Sequence, residues 1–407
     1  MSYKSICCPC IAATLVLSLI MSMILVQQAS AGSTLPRVPA PGILLADDTG
    51  HILYSQNPDQ RFIPASTLKL MTSLAAIHYL GRDFRFKTEI FLTPLNQLLI
   101  KGYGDPLLTS ESIERLSRQV AAALSDRHLD TVASILVDDT FFDPSITIPG
   151  TGSSSNPYEA SPGACCANFN TVAFARNPVT GRYVSTEPQT PLLEFVESSI
   201  SASGLSQGRI VLTGPQGRVY AGMLVRYFLG ICGVTVKGDV KPGVKGPMDK
   251  VLTTFLSDQT LDGTIRKLLE FSNNFIANQI LLTVGATVFS GPATLDKGVR
   301  ALKNYAAGEL GLRGLPLAEG SGISRDNRVS PREMLSILLA FKDYHNLMCH
   351  DDQEYYKTGT LYGVNTRAGY FQGLDNRLFP FVIMVNNAPG RGYGDIQKRL
   401  KAMIHFR

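Results

Sequence analysis

From Leu68 to Leu80 the chain carries apolar residues on nearly every face of a 3.6-residue period, with Leu70, Met71, Leu74, Ala75 and Ile77 between them. That pattern predicts a helix inside the core, closed by Gly81 as its C-cap. Upstream, Gly42 to Asp47 and His51 to Ser55 predict a hairpin around Asp48-Thr49-Gly50. Downstream, strands are expected over Phe84 to Leu92 and Gln97 to Lys101, and a helix over Ser110 to Leu124. The middle of the chain alternates short strand patterns (Val132 to Asp138, Asn168 to Arg176, Tyr183 to Thr186, Arg209 to Thr213, Val234 to Val240) with a helix over Val219 to Gly230. A Gly/Ser/Pro-rich loop interrupts them over Pro149 to Gly163.

From Asp258 the period turns helical, pauses at Phe271-Ser272-Asn273-Asn274, resumes to Val284 and returns over Leu295 to Leu310. Ser330 as N-cap and Pro331 at the first helical position open another helix, to about Lys342. Strands over Tyr355 to Leu361, Arg367 to Gln372 and Phe379 to Val385 and an amphipathic helix over Ile396 to Phe406 complete the pattern. Strands at both ends with helices between them predict an α+β fold whose antiparallel sheet is assembled from the termini, and the middle predicts an α+β insertion with its own layers.

Composition narrows this little: 407 residues, 44% hydrophobic and 17% charged, suit a globular chain of two or three folding units. The net charge of +5 is dispersed, so nucleic acid is not an expected partner. Met1 to Ala31 has one charge at Lys4, an apolar run from Ile11 to Val26 and the small residues Ala29-Ser30-Ala31, the pattern of a cleaved export signal. A retained anchor is the rival, since the run is slightly long for a signal core and short for a span. Cys7, Cys8 and Cys10 precede the apolar run, which argues against a lipoprotein. Export would leave Cys165, Cys166, Cys232 and Cys349 in an oxidising compartment, where three full pairings are open. Bonding the neighbours Cys165 and Cys166 would strain the chain, and no histidine stands at ligand spacing, so no metal is expected.

Chemistry enters at the start of the buried helix. Ser66 and Lys69 are three apart and share its first turn, so an amine reaches a hydroxyl. Serine needs such a base, and lysine serves as one when burial and positive neighbours keep it neutral. Ser-x-x-Lys alone arises by chance on the order of once in a chain this long. Two later stretches raise its weight. Ser272-Asn273-Asn274 offers a proton relay in Ser272 and, in Asn274, an amide that can fix Lys69 and a substrate. Lys357-Thr358-Gly359-Thr360 offers a positive charge that keeps Lys69 neutral and attracts a carboxylate, and Gly359 leaves a strand edge bare for an extended peptide. Nucleophile, base, proton donor and oxyanion donors are what an acyl-enzyme needs.

Other matches are weaker. Gly204-Leu205-Ser206-Gln207-Gly208 fits a nucleophile elbow in letters only, because a helix precedes it and a strand follows. Gly102 and Gly104 are read as turn residues rather than a phosphate loop. The six histidines form no triad pattern, and His78 is expected to be structural within the core helix.

In that order the three stretches are the signature of penicillin-binding proteins and class A β-lactamases, although no feature here identifies the water-activating carboxylate of the latter. With Pro64-Ala65-Ser66-Thr67, Asp83-Phe84-Arg85-Phe86, Gly104-Asp105-Pro106, Ser272 to Ala277, Gly320-Ser321-Gly322-Ile323-Ser324-Arg325 and Lys357 to Leu361, the chain resembles the D-alanyl-D-alanine carboxypeptidase/endopeptidases of penicillin-binding protein 4 type, serine peptidase family S13. The resemblance is weakest between about Thr140 and Pro215. It implies a transpeptidase/β-lactamase-like domain from 32–86 and 251–407, an insertion over 87–250 and a signal peptide over 1–31. It also implies Ser66, Lys69, Ser272, Asn274 and Lys357 as catalytic residues, with Thr358, Gly359 and Thr360 binding substrate. The backbone N–H groups of Ser66 and Thr360 would form the oxyanion hole, and Thr358 and Thr360 would hold the substrate carboxylate.

No cofactor or metal is implied. The implied partners are peptidoglycan stem peptides, β-lactams as covalent inhibitors and, peripherally, the membrane; the implied place is the periplasm or cell envelope. One departure stands out: the family has a much longer segment before Lys-Thr-Gly, with a Gly-Thr-Leu stretch, whereas here Ser324 is followed by Lys357 with neither. That shortening bears on the wall of the cleft and is the feature behind a rival reading, a non-catalytic envelope protein of the same fold that binds peptidoglycan or penicillin.

Overall fold

The expected hairpin forms as β1 (Gly42–Ala46) and β2 (Ile52–Gln56). Residues 40–152, 160–386 and 392–404 are described by the computed structural model. The expected signal segment, with Cys7, Cys8 and Cys10, lies outside the described residues, as do 153–159 of the Gly/Ser-rich loop and the end of the last expected helix.

In chain order the hairpin is followed by α1 (Lys69–Leu80), β3 (Lys87–Leu92), β4 (Leu98–Gly102), α2 (Ser110–Ser125), β5 (Thr131–Val132) and β6 (Ile135–Asp138). Next come β7 (Thr171–Arg176), β8 (Tyr183–Ser185), α3 (Glu197–Ser203), β9 (Gln207–Val211), α4 (Gly214–Ile231), β10 (Thr235–Val236), β11 (Val240–Pro242) and β12 (Lys250–Leu256). The remainder is α5 (Leu261–Phe271), α6 (Asn274–Phe289), α7 (Leu295–Gly308), α8 (Pro331–Phe341), β13 (Cys349–Asp351), β14 (Glu354–Leu361), β15 (Val364–Gln372), β16 (Leu378–Asn386) and α9 (Gly394–Ile404).

The termini meet as the pattern predicts. β1 pairs antiparallel with β16, Ile43 opposite Ile383 and Leu44 opposite Val382, to give a six-stranded sheet in the order β13-β14-β15-β16-β1-β2. Alternation sorts its side chains onto two faces. Leu44, Tyr370, Val382 and Met384 point into a core shared with α1 and α5–α8, while Ile43, Leu45, Phe381 and Ile383 pack under Leu400 and Ile404 of α9. Every residue of α1 from Lys69 to Ile77 is buried, as is every residue of α6 from Phe275 to Ala286. Two helices apolar all round can only be stable inside, and here they pack against each other.

A second large cluster draws all its members from Ile90 to Phe255. Its sheet, β11-β6-β4-β3-β12, is covered by Ile113, Leu116 and Val120 of α2 and by Tyr220 and Leu224 of α4. A three-stranded sheet, β8-β7-β9, and a parallel pair, β10-β5, complete this part.

Several expectations need correction. The strands expected over Val132 to Asp138 and Val234 to Val240 are each two strands, because β5 pairs with β10 while β6 pairs with β4 and β11. β3 starts at Lys87 rather than Phe84, since the chain first turns at Gly81, whose carbonyl accepts from Phe84 N. β7 starts at Thr171 because Asn168, Phe169 and Asn170 all take positive φ. His78 lies in its core helix as expected, at an outward-turned position where its ring is edge-on to Tyr79 at 4.6 Å. Gly204 to Ser206 joins α3 to β9, which begins at Gln207, so the elbow match runs helix–loop–strand as expected.

The α8 start is a full capping box: Ser330 Oγ accepts from Glu333 N at 3.1 Å, and the Glu333 carboxylate accepts from Ser330 N at 2.8 Å. Ser330→Ala should therefore cost about 0.5–2 kcal/mol. The check is a urea titration in which the midpoint falls and the slope does not change.

Candidate functional site

The segment before Ser66 is pinned to the sheet by polar groups. Ile63 N donates to Asn386 Oδ1 at 2.7 Å, and the Pro64 carbonyl accepts from Thr366 Oγ1 and Thr67 Oγ1, each at 2.7 Å. Ala65 then takes φ +47°, a region that costs a non-glycine residue, and opens the 3₁₀ turn Ala65–Leu68 that runs into α1. Ser66 sits in this turn and Lys69 opens α1 directly after it, so the two stand together as expected, on a turn tighter than an α-helical one.

Lys69 is fully buried, and its Nζ touches three oxygens: Ser66 Oγ at 2.9 Å, Asn274 Oδ1 at 2.6 Å and the Ser321 carbonyl at 2.8 Å. Burial, and then the charge of Lys357, hold its amine well below the ordinary lysine range, against the pull of Glu319. Once one proton is lost, the two remaining N–H groups are satisfied by Asn274 and Ser321. The lone pair is then left facing the Ser66 hydroxyl, the arrangement a general base requires.

Ser272 closes α5 in the left-handed region, φ +53°, and Asn273 caps α6 by accepting from Ile276 N at 3.1 Å. This break between two helices brings Ser272 Oγ to 2.8 Å from Lys357 Nζ and Asn274 to Lys69. Lys357 is itself buried, which lowers its amine to about 8. Its strand, β14, pairs with β13 only as far as Tyr356, one residue before Lys357, so among the described residues the stretch to Leu361 has no strand on that edge.

The edge is bare as expected, but Gly359 serves another need. A Cβ there would stand 2.7 Å from Ser66 N and 2.4 Å from Thr366 Oγ1, so only glycine lets β14 close on the Ser66 turn. Gly322 does likewise from the other side: its φ is +86°, and a Cβ would stand 1.8 Å from the Ala65 carbonyl oxygen.

All the sequence-derived site residues thus come together. Ser66, Ser272, Asn274, Thr358 and Thr360 line one cleft of about 370 Å³, with Lys69 and Lys357 beneath it and Gly359 against the Ser66 turn. One residue escaped the sequence reading. Glu319 is fully buried and its carboxylate accepts from Ser321 N, Gly322 N, Ser324 N, Asn278 Nδ2 and Asn327 Nδ2 at 2.6–3.3 Å. It shapes the loop that offers the Ser321 carbonyl to Lys69. The signal available was a lone acid opening a Gly-Ser-Gly run.

Among the described residues no acid, histidine and cysteine cluster could hold a metal. Cys165, Cys166, Cys232 and Cys349 are all free thiols, so none of the pairings left open is made. Burial and the neighbouring Asp139 push the thiols of Cys165 and Cys166 upward.

The sequence profile of the D-Ala-D-Ala carboxypeptidase 3 (S13) family matches residues 37–353. The chain belongs to this family. The profile match stops just short of Lys357, where the shortened segment ends. A D-alanyl-D-alanine carboxypeptidase of an Actinomadura species is 28% identical over 73% of this chain, which spans 63% of that relative's length. The D-alanyl-D-alanine carboxypeptidase DacB of Haemophilus influenzae is 24% identical over 86% of this chain and 85% of its own. The crystal structure of penicillin-binding protein 4 from H. influenzae superposes with a TM-score of 0.72 at 20% identity, over 90% of this chain and 96% of that one. A second crystal structure of it, complexed with a β-lactam, gives 0.66 at 19% identity over the same shares. The α+β, transpeptidase-like fold expected from the sequence is therefore the fold of this family member.

The two lysines imply a pH signature for acylation. With Lys69 as the base of the reaction proposed below, acylation should rise as pH climbs past its lowered pKa. On the reading proposed below, in which Lys357 gives a proton, acylation should fall as pH passes about 8. Lys357→Arg, whose guanidinium stays charged across this range, should remove the alkaline fall. The measurement is the acylation rate by a chromogenic penicillin against pH; a fall that persists in the variant would assign it to another group.

Proposed function

We propose that this chain is a serine-type D-Ala-D-Ala carboxypeptidase/endopeptidase that acts on peptidoglycan stem peptides through an acyl-enzyme on Ser66. The observation that carries this reading is the buried Lys69 amine whose third contact is the Ser66 hydroxyl. In the proposed cycle, Ser66 Oγ attacks the carbonyl carbon of the penultimate D-alanine and its proton passes to Lys69. The developing oxyanion lies against the N–H groups of Ser66 and Thr360. The C–N bond breaks, and the leaving amine takes a proton relayed by Lys357 and Ser272. Water then releases the acyl group by the reverse proton route. Asn274, having accepted from Lys69 with Oδ1, keeps its NH₂ for a substrate carbonyl. Thr358 and Thr360 hold the terminal carboxylate. A β-lactam presents the same carbonyl and carboxylate and would acylate Ser66 in the same way.

The bare edge of β14 supports binding of an extended peptide by strand addition. The separate core between Ile90 and Phe255 supports an inserted unit on a domain built from the two flanking parts of the chain; because that core takes in Leu252 and Phe255 of β12, the unit extends from 87 to about 256 rather than ending at 250. Export to the periplasm or envelope and a peripheral membrane association belong to the same reading; among the described residues no helix is long and apolar enough to cross a membrane.

Ser66→Ala should abolish covalent labelling by a fluorescent penicillin, and Lys69→Met should slow it by about 10² to 10⁴. Labelling that survives Ser66→Ala would end the assignment. A loss in Lys69→Met that is seen only in KM would make the lysine a binding group. A second expectation concerns the short segment before Lys357, which leaves the cleft wetter and its electrostatics weaker. Cross-linked muropeptide dimers, which cover the site with their own bulk, should be cleaved with higher kcat/KM than a free pentapeptide. The opposite order would contradict this, and cleavage of neither despite labelling would favour the non-catalytic rival.

A further inference from the structure

The turn that carries Ser272 and Asn274 into the cleft has a second side. Phe271, Asn273 and Ile276 of the same break line a separate groove of about 430 Å³, closed opposite by Leu107, Phe169 and Gln189. One turn of chain therefore forms the wall between the two cavities.

The groove has three chemical features. Its floor is apolar, and Phe169 is held there at some cost: Asn168, Phe169 and Asn170 are three consecutive non-glycine residues with φ of +47°, +59° and +51°. That conformation sets the Phe169 ring edge-on to Phe275 with centroids 5.7 Å apart. At the rim, Phe271 is 67% exposed, a large aromatic side chain left mostly uncovered. Its charges balance: Lys267 and Arg209 against Glu111 and Glu187, with Arg209 and Glu187 paired at 2.5 Å. Lys267, Glu111 and Gln189 have no side-chain hydrogen bond or ion pair among the described residues.

A balanced lining gives an ionic ligand no net field, whereas a neutral ligand with many hydroxyls can use donors and acceptors of both signs. A pyranose ring has an apolar face that lies on an aromatic side chain, and an acetyl methyl suits an apolar floor. We propose that this groove binds an N-acetylated amino sugar of the glycan that carries the stem peptide. The proposal rests on the peptidoglycan reading above, and it makes the groove a specificity site that selects peptides still attached to their polymer.

The test uses the full chain with Ser66→Ala, so that ligands bind without turnover, and calorimetry with two ligands: a tetrapeptide, and the same tetrapeptide on its disaccharide. The disaccharide form should bind about tenfold tighter, the equivalent of roughly 1.4 kcal/mol. Adding Gln189→Ala, an exposed side chain whose loss leaves the core intact, or Phe271→Ala should bring the two affinities together. Equal affinities in the parent, no binding of either ligand, or a preference that both variants retain would overturn the proposal. Penicillin labelling of the unaltered chain separates the two readings. Labelling without a sugar preference removes the groove alone, and a sugar preference without labelling removes the peptidase reading alone.

Discussion

The structure is arranged around one buried amine. Lys69 is entirely inside the protein, where a charge is costly unless it is paired, and the only carboxylate among its electrostatic neighbours, Glu319, is already occupied by five donors. Instead of an ion pair, Lys69 has three neutral oxygens from three separate parts of the chain. That choice explains much else. The apolar α1 and α6 must cross to exclude water, the α5–α6 break must offer Asn274, and the 319–325 loop must turn a carbonyl inward. A lysine paired with a carboxylate would be more stable as a cation and useless as a base.

The same arrangement leaves little slack. Two non-glycine residues with positive φ, Ala65 and Ser272, stand at the two turns that meet across the cleft. Two glycines, Gly322 and Gly359, let neighbouring backbone approach the nucleophile turn to distances a Cβ would not allow. Local conformational cost is concentrated where the reacting groups are and is offset by the large core around α1 and α6.

How much of this could be read beforehand follows from what each feature depends on. The core helices were legible because burial on all faces leaves an apolar run with no polar stripe, and the Ser66, Ser272 and Lys357 stretches because each is a local string of chemistry. The meeting of the termini in one sheet followed from counting strands at both ends. What escaped depends on partners distant in the chain. β5 and β6 look like one strand until β10 and β11 claim them separately, and Gly359 looks like a bare edge until Ser66 N is seen behind it. Glu319 is one acid among many until five donors converge on it.

The turn from Ser272 to Asn274 is a shared wall, with one cavity on each side of it. This bears on how such a protein could evolve away from a drug. On the reading proposed above a β-lactam needs only the inner cavity, so altering the outer one does not exclude it. Altering the wall would disturb the contacts to Lys69 and Lys357 at once, because both lysines are hydrogen-bonded to residues of that turn. On the proposed reading, antibiotic and substrate are recognised by atoms that cannot drift apart, and the route to resistance through this wall runs through loss of the chemistry itself.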